Sequence, residues 1–167
     1  MNGSGSREAV SSKSPLIEAE DLVDRLADPE LRVLDATVEV KTFPVPRIKS
    51  GRGAWKRSHI PGAAFVDLRQ LSAPRTRSYS FTLPSADHFA SAMAQLGVGP
   101  ESSVVVYDSR QNMWAARLWW MLRYFGYDNA AVLNGGWTAW LEGQHPVCSR
   151  PCAYTPAEPF VPQVRSE

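Results

Sequence analysis

Asp108 stands at the head of a short polar loop, Asp108-Ser109-Arg110-Gln111-Asn112, between an apolar run and an amphipathic one. Val104-Val105-Val106-Tyr107 precedes it, and Met113-Trp114 opens a segment rich in Trp, Leu and Met. Strand, loop and helix in that order are the grammar of a parallel α/β sheet. In such sheets the loop beyond a strand's carboxyl end is where active sites form. Backbone N–H groups converging on a helix N-terminus, helped by the helix dipole, make residues 108–114 an anion cradle. A cysteine at the head of such a loop would be held as a thiolate, the reactive nucleophile. The residue present is an aspartate, and the loop contains no cysteine and no histidine. A carboxylate there fills the anion site itself.

Other residues of chemical interest are sparse. Cys148 and Cys152 are the two cysteines, and both lie in a proline-rich C-terminal stretch. Their C-x3-C spacing is neither a zinc nor a redox C-x-x-C pattern, and no second ligand pair accompanies them. They read as incidental thiols, with a labile disulfide and a surrogate nucleophile as alternatives. His59 reads as a turn residue that sets the geometry before Pro61, with catalysis as the alternative. Metal binding is not expected, because His88 lies on a different helix and His145 in the tail. Lys41, Arg47, Lys49, Arg52, Lys56 and Arg57 make residues 38–58 basic. That stretch is either a solvated surface loop or an anion-attracting rim.

The elements that must position these residues follow from periodicity and breakers. Residues 16–27 carry Leu22, Val23 and Leu26 on one helical face, and Asp28-Pro29 is a turn signal. Leu31 to Ala36 reads as a buried strand. Residues 38–58 are expected to be irregular, broken by Pro44 and Pro46. His59-Ile60-Pro61-Gly62-Ala63 forms a tight turn into a short strand over residues 64–67, and residues 72–82, with Arg75 and Arg77, form a loop. Ser85 is placed as an N-cap for a helix with Phe89, Met93 and Leu96 inward, and Gly97 closes it. The strand 103–107 and a helix over 113–125 follow, the latter with Trp114, Leu118, Met121, Leu122 and Phe125 on one stripe. Trp119 and Trp120 are adjacent and must face different ways. Ala130 to Leu133 is a strand, Asn134-Gly135-Gly136 a turn, and Trp137 starts a helix. The alternation predicts an α/β domain, a parallel sheet with helices on both faces. Its bounds are residues 15–146, after a disordered Gly/Ser/Lys-rich tail (1–14) and before a proline-rich linker or tail (147–167) without a core of its own.

Composition sets outer limits. The 167 residues are 44% hydrophobic and 21% charged, enough for one domain with a real core. A net charge of +1 gives no global field for nucleic acid or a membrane surface. No apolar run has the length of a membrane helix, and the N-terminus lacks the apolar region of a secretory signal. The expectation is a cytoplasmic domain that binds neither nucleic acid nor membrane.

The set VLDA, HIPGA, VVVYD, AARLWWMLRYFG and LNGGW, spread over residues 16–146, resembles the rhodanese family of sulfurtransferases. More narrowly it is similar to the N-terminal half of tandem-domain thiosulfate or 3-mercaptopyruvate enzymes. The resemblance implies a rhodanese-like fold and a chemistry that runs through a cysteine persulfide. The thiolate attacks the outer sulfur of a small anionic donor, then passes that sulfur to cyanide or a thiol. No cofactor is implied. In active members the cysteine ends the VVVY-type strand, where this chain has Asp108. The N-terminal half of tandem members commonly lacks it too, and the second half carries it.

The resemblance carries further expectations. Asp35 and Arg117 are placed side by side, as an ion pair that fixes the loop-bearing helix to the sheet; in the alternative Arg117 points to solvent. Met113 and Trp114 form one wall of a partner domain's active site; the alternative puts Trp114 in the core. The expected partner is a catalytic rhodanese domain or a second copy of this chain. The stretch after Pro146 resembles an inter-domain linker, which makes the chain either a fragment or a stand-alone descendant. The leading functional expectation is the non-catalytic half of a sulfurtransferase. A stand-alone binding or regulatory module is the second. Cysteine-phosphatase chemistry on the related fold lacks its nucleophile for the same reason.

Overall fold

Val104, Val105 and Val106 alternate between two apolar layers, so the strand that carries them needs cover on both faces. In the computed structural model, which describes residues 14–45, 47–73 and 81–165, that strand is central. The elements run β1 (Leu16–Ile17), α1 (Ala19–Arg25), β2 (Leu31–Asp35), β3 (Val38–Lys41), β4 (Arg47–Ser50), α2 (Arg52–Arg57) and β5 (Ala64–Phe65). They continue α3 (Leu68–Leu71), α4 (Ala86–Gln95), β6 (Ser103–Tyr107), α5 (Met113–Tyr124), β7 (Ala130–Leu133) and α6 (Gly136–Glu142). The main sheet has the order β1-β7-β6-β2-β5, and every pairing in it is parallel.

Strand alternation sorts the core into two layers. Leu34, Val104, Val106 and Val132 pack against α3, α4 and α5 through Leu68, Phe89, Met93, Leu118 and Leu122. Leu31, Val33, Val105, Tyr107 and Leu133 pack on the other face against α1 and α6 through Leu22 and Trp140. The expected α/β architecture, a rhodanese-like parallel sheet with helices on both faces, is what forms. Burying each large aliphatic side chain contributes about 1.5–3 kcal/mol, so the three valines and the helix stripes dominate the stability. Ser85 caps α4, its side chain accepting from the His88 N–H at 3.3 Å, and Gly97 follows that helix in the left-handed region at φ 76°.

Two expectations need correction. Residues 38–58 are regular where irregularity was expected. β3 and β4 pair antiparallel, with Val38 opposite Ser50 and Val40 opposite Ile48, and α2 follows directly. The basic side chains thus project from a two-stranded ribbon and a short helix rather than from a loop. The C-terminal stretch, read as linker, is a strap laid over the domain. Ala157, Gln163 and Arg165 donate backbone N–H bonds to the carbonyls of Ala94, Phe125 and Tyr124 at 2.9 Å each. Phe160 is buried against Tyr127 (5.0 Å between ring centroids) and Phe89 (6.4 Å). Arg165 makes a two-pronged ion pair with Asp128 at 2.7 and 2.6 Å. Through Phe160 the strap joins the domain's core.

The expected tail, apart from Ser14, lies outside the described residues, as do Arg75, Arg77 and Pro46. Among the described residues, no helix is long and apolar enough to cross a membrane.

Candidate anion-cradle site

The chain leaves β6 at Tyr107 and must turn at once into α5. Gln111 (φ 51°) and Asn112 (φ 60°) both take the left-handed conformation to do so. Two consecutive non-glycine residues there store strain, which surrounding contacts must hold. Asn112 supplies one, donating from Nδ2 to the Leu133 carbonyl at 2.8 Å. The turn aims the first free N–H groups of α5 back at the end of β6.

Asp108 receives them. Its Oδ2 accepts from the Trp114 and Ala115 N–H groups at 2.8 Å each, and Oδ1 accepts from Arg110 N–H at 2.5 Å. The Trp114 and Ala115 N–H groups are among those that a helix start leaves without intrahelical partners. The residue is 1% exposed. Burial pushes its carboxyl above the ordinary carboxylate range, and the bonds from Ala115, Arg110 and Trp114 oppose that rise. The cradle inferred from the sequence therefore forms, and the protein's own carboxylate sits inside it. Ser109 and Arg110 are exposed.

Neighbouring elements hold the loop. Thr37, just past β2, accepts from the Ser109 N–H at 3.1 Å, and Thr37 N–H donates to Asp35 Oδ1 at 2.8 Å. Trp137 N–H at the start of α6 donates to the Asp108 carbonyl at 3.0 Å. Gly136 makes that approach feasible: at φ 57°, an added Cβ would lie 2.4 Å from Asn112 Oδ1 and 2.7 Å from the Asp108 carbonyl oxygen. Thr37 and Gly136 were absent from the candidates drawn from the sequence. The GGW turn was the signal for the second; a hydroxyl two residues beyond a strand-terminal aspartate was the signal for the first.

The Asp35–Arg117 ion pair does not form. Asp35 shares its side of β2 with Leu31 and Val33, which face α1 and α6, whereas α5 packs on the opposite face of the sheet. The sheet thus lies between the two side chains. Asp35 is buried, hydrogen-bonded to Thr37 and the Tyr107 hydroxyl, and its carboxyl is raised by burial first, with Asp108 adding to the rise. Arg117 donates from Nη2 to the Phe81 carbonyl, and burial lowers its pKa. It does not point to solvent either, being half-buried.

Met113 and Trp114 part company. Trp114 is a core residue packed on Phe81 at 4.8 Å, so it is no open wall, while Met113 is 56% exposed at the loop's edge. Trp119 and Trp120 diverge as their adjacency requires. Trp119 donates to the Ala130 carbonyl at 3.0 Å, and Trp120 stacks on Tyr124 at 5.2 Å.

His59 is fully buried in its turn, stacked on Trp55 at 4.8 Å, with Nδ1 2.6 Å from the Trp55 carbonyl. The fold brings Cys148 and Cys152 to it, although neither belongs to the Asp108 loop. His88 is exposed on α4, and His145 lies 3.8 Å from Glu20.

Comparison with known proteins places these observations in a family context. The Rhodanese-like domain profile matches residues 18–143. Thiosulfate sulfurtransferase of Cricetulus griseus is 38% identical over 141 residues, covering 83% of this chain and 46% of its own length. 3-Mercaptopyruvate sulfurtransferase of Homo sapiens is 38% identical over 150 residues, covering 86% and 48%. The chain thus spans about half the length of the curated relatives it matches. The crystal structure of SseA from Escherichia coli, a 3-mercaptopyruvate sulfotransferase, superposes with a TM-score of 0.80 at 28% identity, covering 92% of this chain and 56% of that one. The 3-mercaptopyruvate sulfurtransferase of Leishmania major gives 0.74 at 25% identity, covering 93% and 43%.

Proposed function

The chain belongs to the rhodanese-like domain family of sulfurtransferases, and on that premise we propose that it is a non-catalytic domain that works with a separate, cysteine-bearing rhodanese domain. The carrying observation is the occupancy of the cradle. Sulfur transfer by the family route needs a thiolate among converging N–H groups, so that its attack on the outer donor sulfur leaves a stabilised persulfide. Here the N–H groups of Arg110, Trp114 and Ala115 are taken by the Asp108 carboxylate. That carboxylate offers no sulfur nucleophile, and its charge and volume exclude thiosulfate or the mercaptopyruvate carboxylate from the same donors. What the domain retains is the fold, a rigidly held loop and an exposed Met113 beside it, which suit a supporting surface for a partner's site.

Two measurements test this. The purified chain, assayed with thiosulfate and cyanide and with 3-mercaptopyruvate and a thiol acceptor, should show the buffer rate; turnover well above it would overturn the proposal. Asp108→Cys places a thiol in the same ring of donors. After thiosulfate treatment it should gain the mass of one sulfur atom, and an unchanged mass in a folded variant would count against an anion-holding cradle.

A further inference from the structure

We propose that His59, Cys148 and Cys152 form a metal site for zinc(II), built on the side of the domain where the C-terminal strap meets the turn before Pro61. A ring nitrogen of His59 and the two Sγ atoms lie within 4.8 Å of one another. The thiols are free and half-buried, and the imidazole is completely buried.

The imidazole carries the argument. Its Nδ1 lies 2.6 Å from the Trp55 carbonyl, an acceptor, so the ring's proton sits on Nδ1 and the Nε2 lone pair is left free to ligate. That Nε2 is buried and has no hydrogen-bond partner among the described residues. A buried acceptor without a donor is costly and calls for an explanation. Orientation of an imidazole by a backbone carbonyl on its far nitrogen is the arrangement metal-binding histidines use. Stacking on Trp55 fixes the ring plane as well.

The cysteines are held in place rather than swept past. His59 and Cys148 exchange two backbone hydrogen bonds of 2.8 Å, an isolated antiparallel bridge that pins the first thiol to the histidine. Cys152 follows in an irregular segment whose Sγ lies 3.3 Å from the Arg150 carbonyl oxygen. Zinc–sulfur bonds near 2.3 Å and zinc–nitrogen bonds near 2.0–2.1 Å require the three ligand atoms to draw together by roughly 1 Å, which side-chain rotation in that segment supplies. Two thiolates and one neutral imidazole match a divalent, borderline-soft ion, leave it neutral overall and keep its fourth position for water. Binding deprotonates both thiols and releases two protons to solvent. The inference is independent of the role of the Asp108 loop.

Cobalt(II) as a spectroscopic substitute for zinc provides the test. The full chain, reduced with a phosphine and stripped with a chelator, should take up one equivalent of Co2+ with a thiolate-to-metal charge-transfer band and the visible bands of tetrahedral coordination. Zn2+ should then bleach both. Cys148→Ser and Cys152→Ser should each weaken binding by more than the roughly 10–100-fold that follows loss of an outer-shell partner. His59→Gln, if it folds, should shift the visible bands; if it does not fold, the two serine variants decide. No thiolate band at saturating Co2+, wild-type affinity in both serine variants, or unshifted bands in folded His59→Gln would overturn the site.

Discussion

Asp108 Oδ2 lies 2.8 Å from the amide nitrogen of Ala115, so the residue that opens the loop also caps the helix that closes it. An N-cap acceptor normally sits next to the first turn. Here it comes from the preceding strand's end, and the intervening backbone is forced into two left-handed residues. The carboxylate thus ties the end of β6 to the start of α5.

Removing that cap should have two effects. Asp108→Ala leaves two buried N–H groups and a part-buried one unpaired and should cost about 1–3 kcal/mol in denaturant unfolding. It also empties a carboxylate-sized anion site. Formate should therefore raise the melting temperature of the variant in a saturable way and leave the wild type unmoved. A variant as stable as the wild type and indifferent to formate would show that the cradle holds no anion.

Asp35 gives a pH signature. Its carboxyl is raised from 3.8, first by burial, with Asp108 adding to the rise and bonds from Thr37 and Tyr107 opposing it. A carboxyl raised in the folded state holds its proton more tightly there than in the unfolded chain. The stability it contributes is complete below pH 3.8 and is lost as pH rises through the folded value. Asp35→Asn cannot ionise, so its unfolding free energy relative to wild type should improve steadily with rising pH over that window. A difference that stays flat across the series would refute the assignment.

How much of this was legible in the sequence depends on whether the deciding contact is local. The β6–loop–α5 unit was legible because three valines, a polar break and a Trp/Leu stripe each state their own structure. The Ser85 cap and the Gly97 stop are equally local. The β3–β4 ribbon was hidden because Pro44 and a run of cations mask the alternation of Val38, Val40 and Ile48. The Asp35–Arg117 expectation failed on a face: continuing the alternation of Leu31 and Val33 puts Asp35 away from α5. The strap and the meeting of His59 with Cys148 rest on backbone bonds between distant segments, and no periodicity announces those.

Two glycines should respond oppositely to alanine. At Gly136 the left-handed φ of 57° and contacts of 2.4 and 2.7 Å to Asn112 and Asp108 leave no room for a Cβ. Gly136→Ala should destabilise by more than about 1 kcal/mol and loosen the loop. Gly53 lies in α2, and an added Cβ there comes no nearer than 3.8 Å to the end of the Arg57 side chain. Gly53→Ala should stabilise by about 0.4–1 kcal/mol through the unfolded chain's lost freedom. Denaturation midpoints moving in the same direction for both would contradict the geometry.

Phe160 tests whether the strap belongs to the folding unit. It is buried to 6% exposure between Tyr127 and Phe89, and backbone bonds from Ala157 and Gln163 fix the chain on either side. A linker that merely lay on the surface would lose little on truncation of one ring. A phenylalanine integral to the core costs about 3–5 kcal/mol when cut to alanine. Phe160→Ala should approach that range and unfold in a single cooperative transition. A cost below about 0.5 kcal/mol, the scale of ordinary surface changes, would return residues 147–165 to the status of linker.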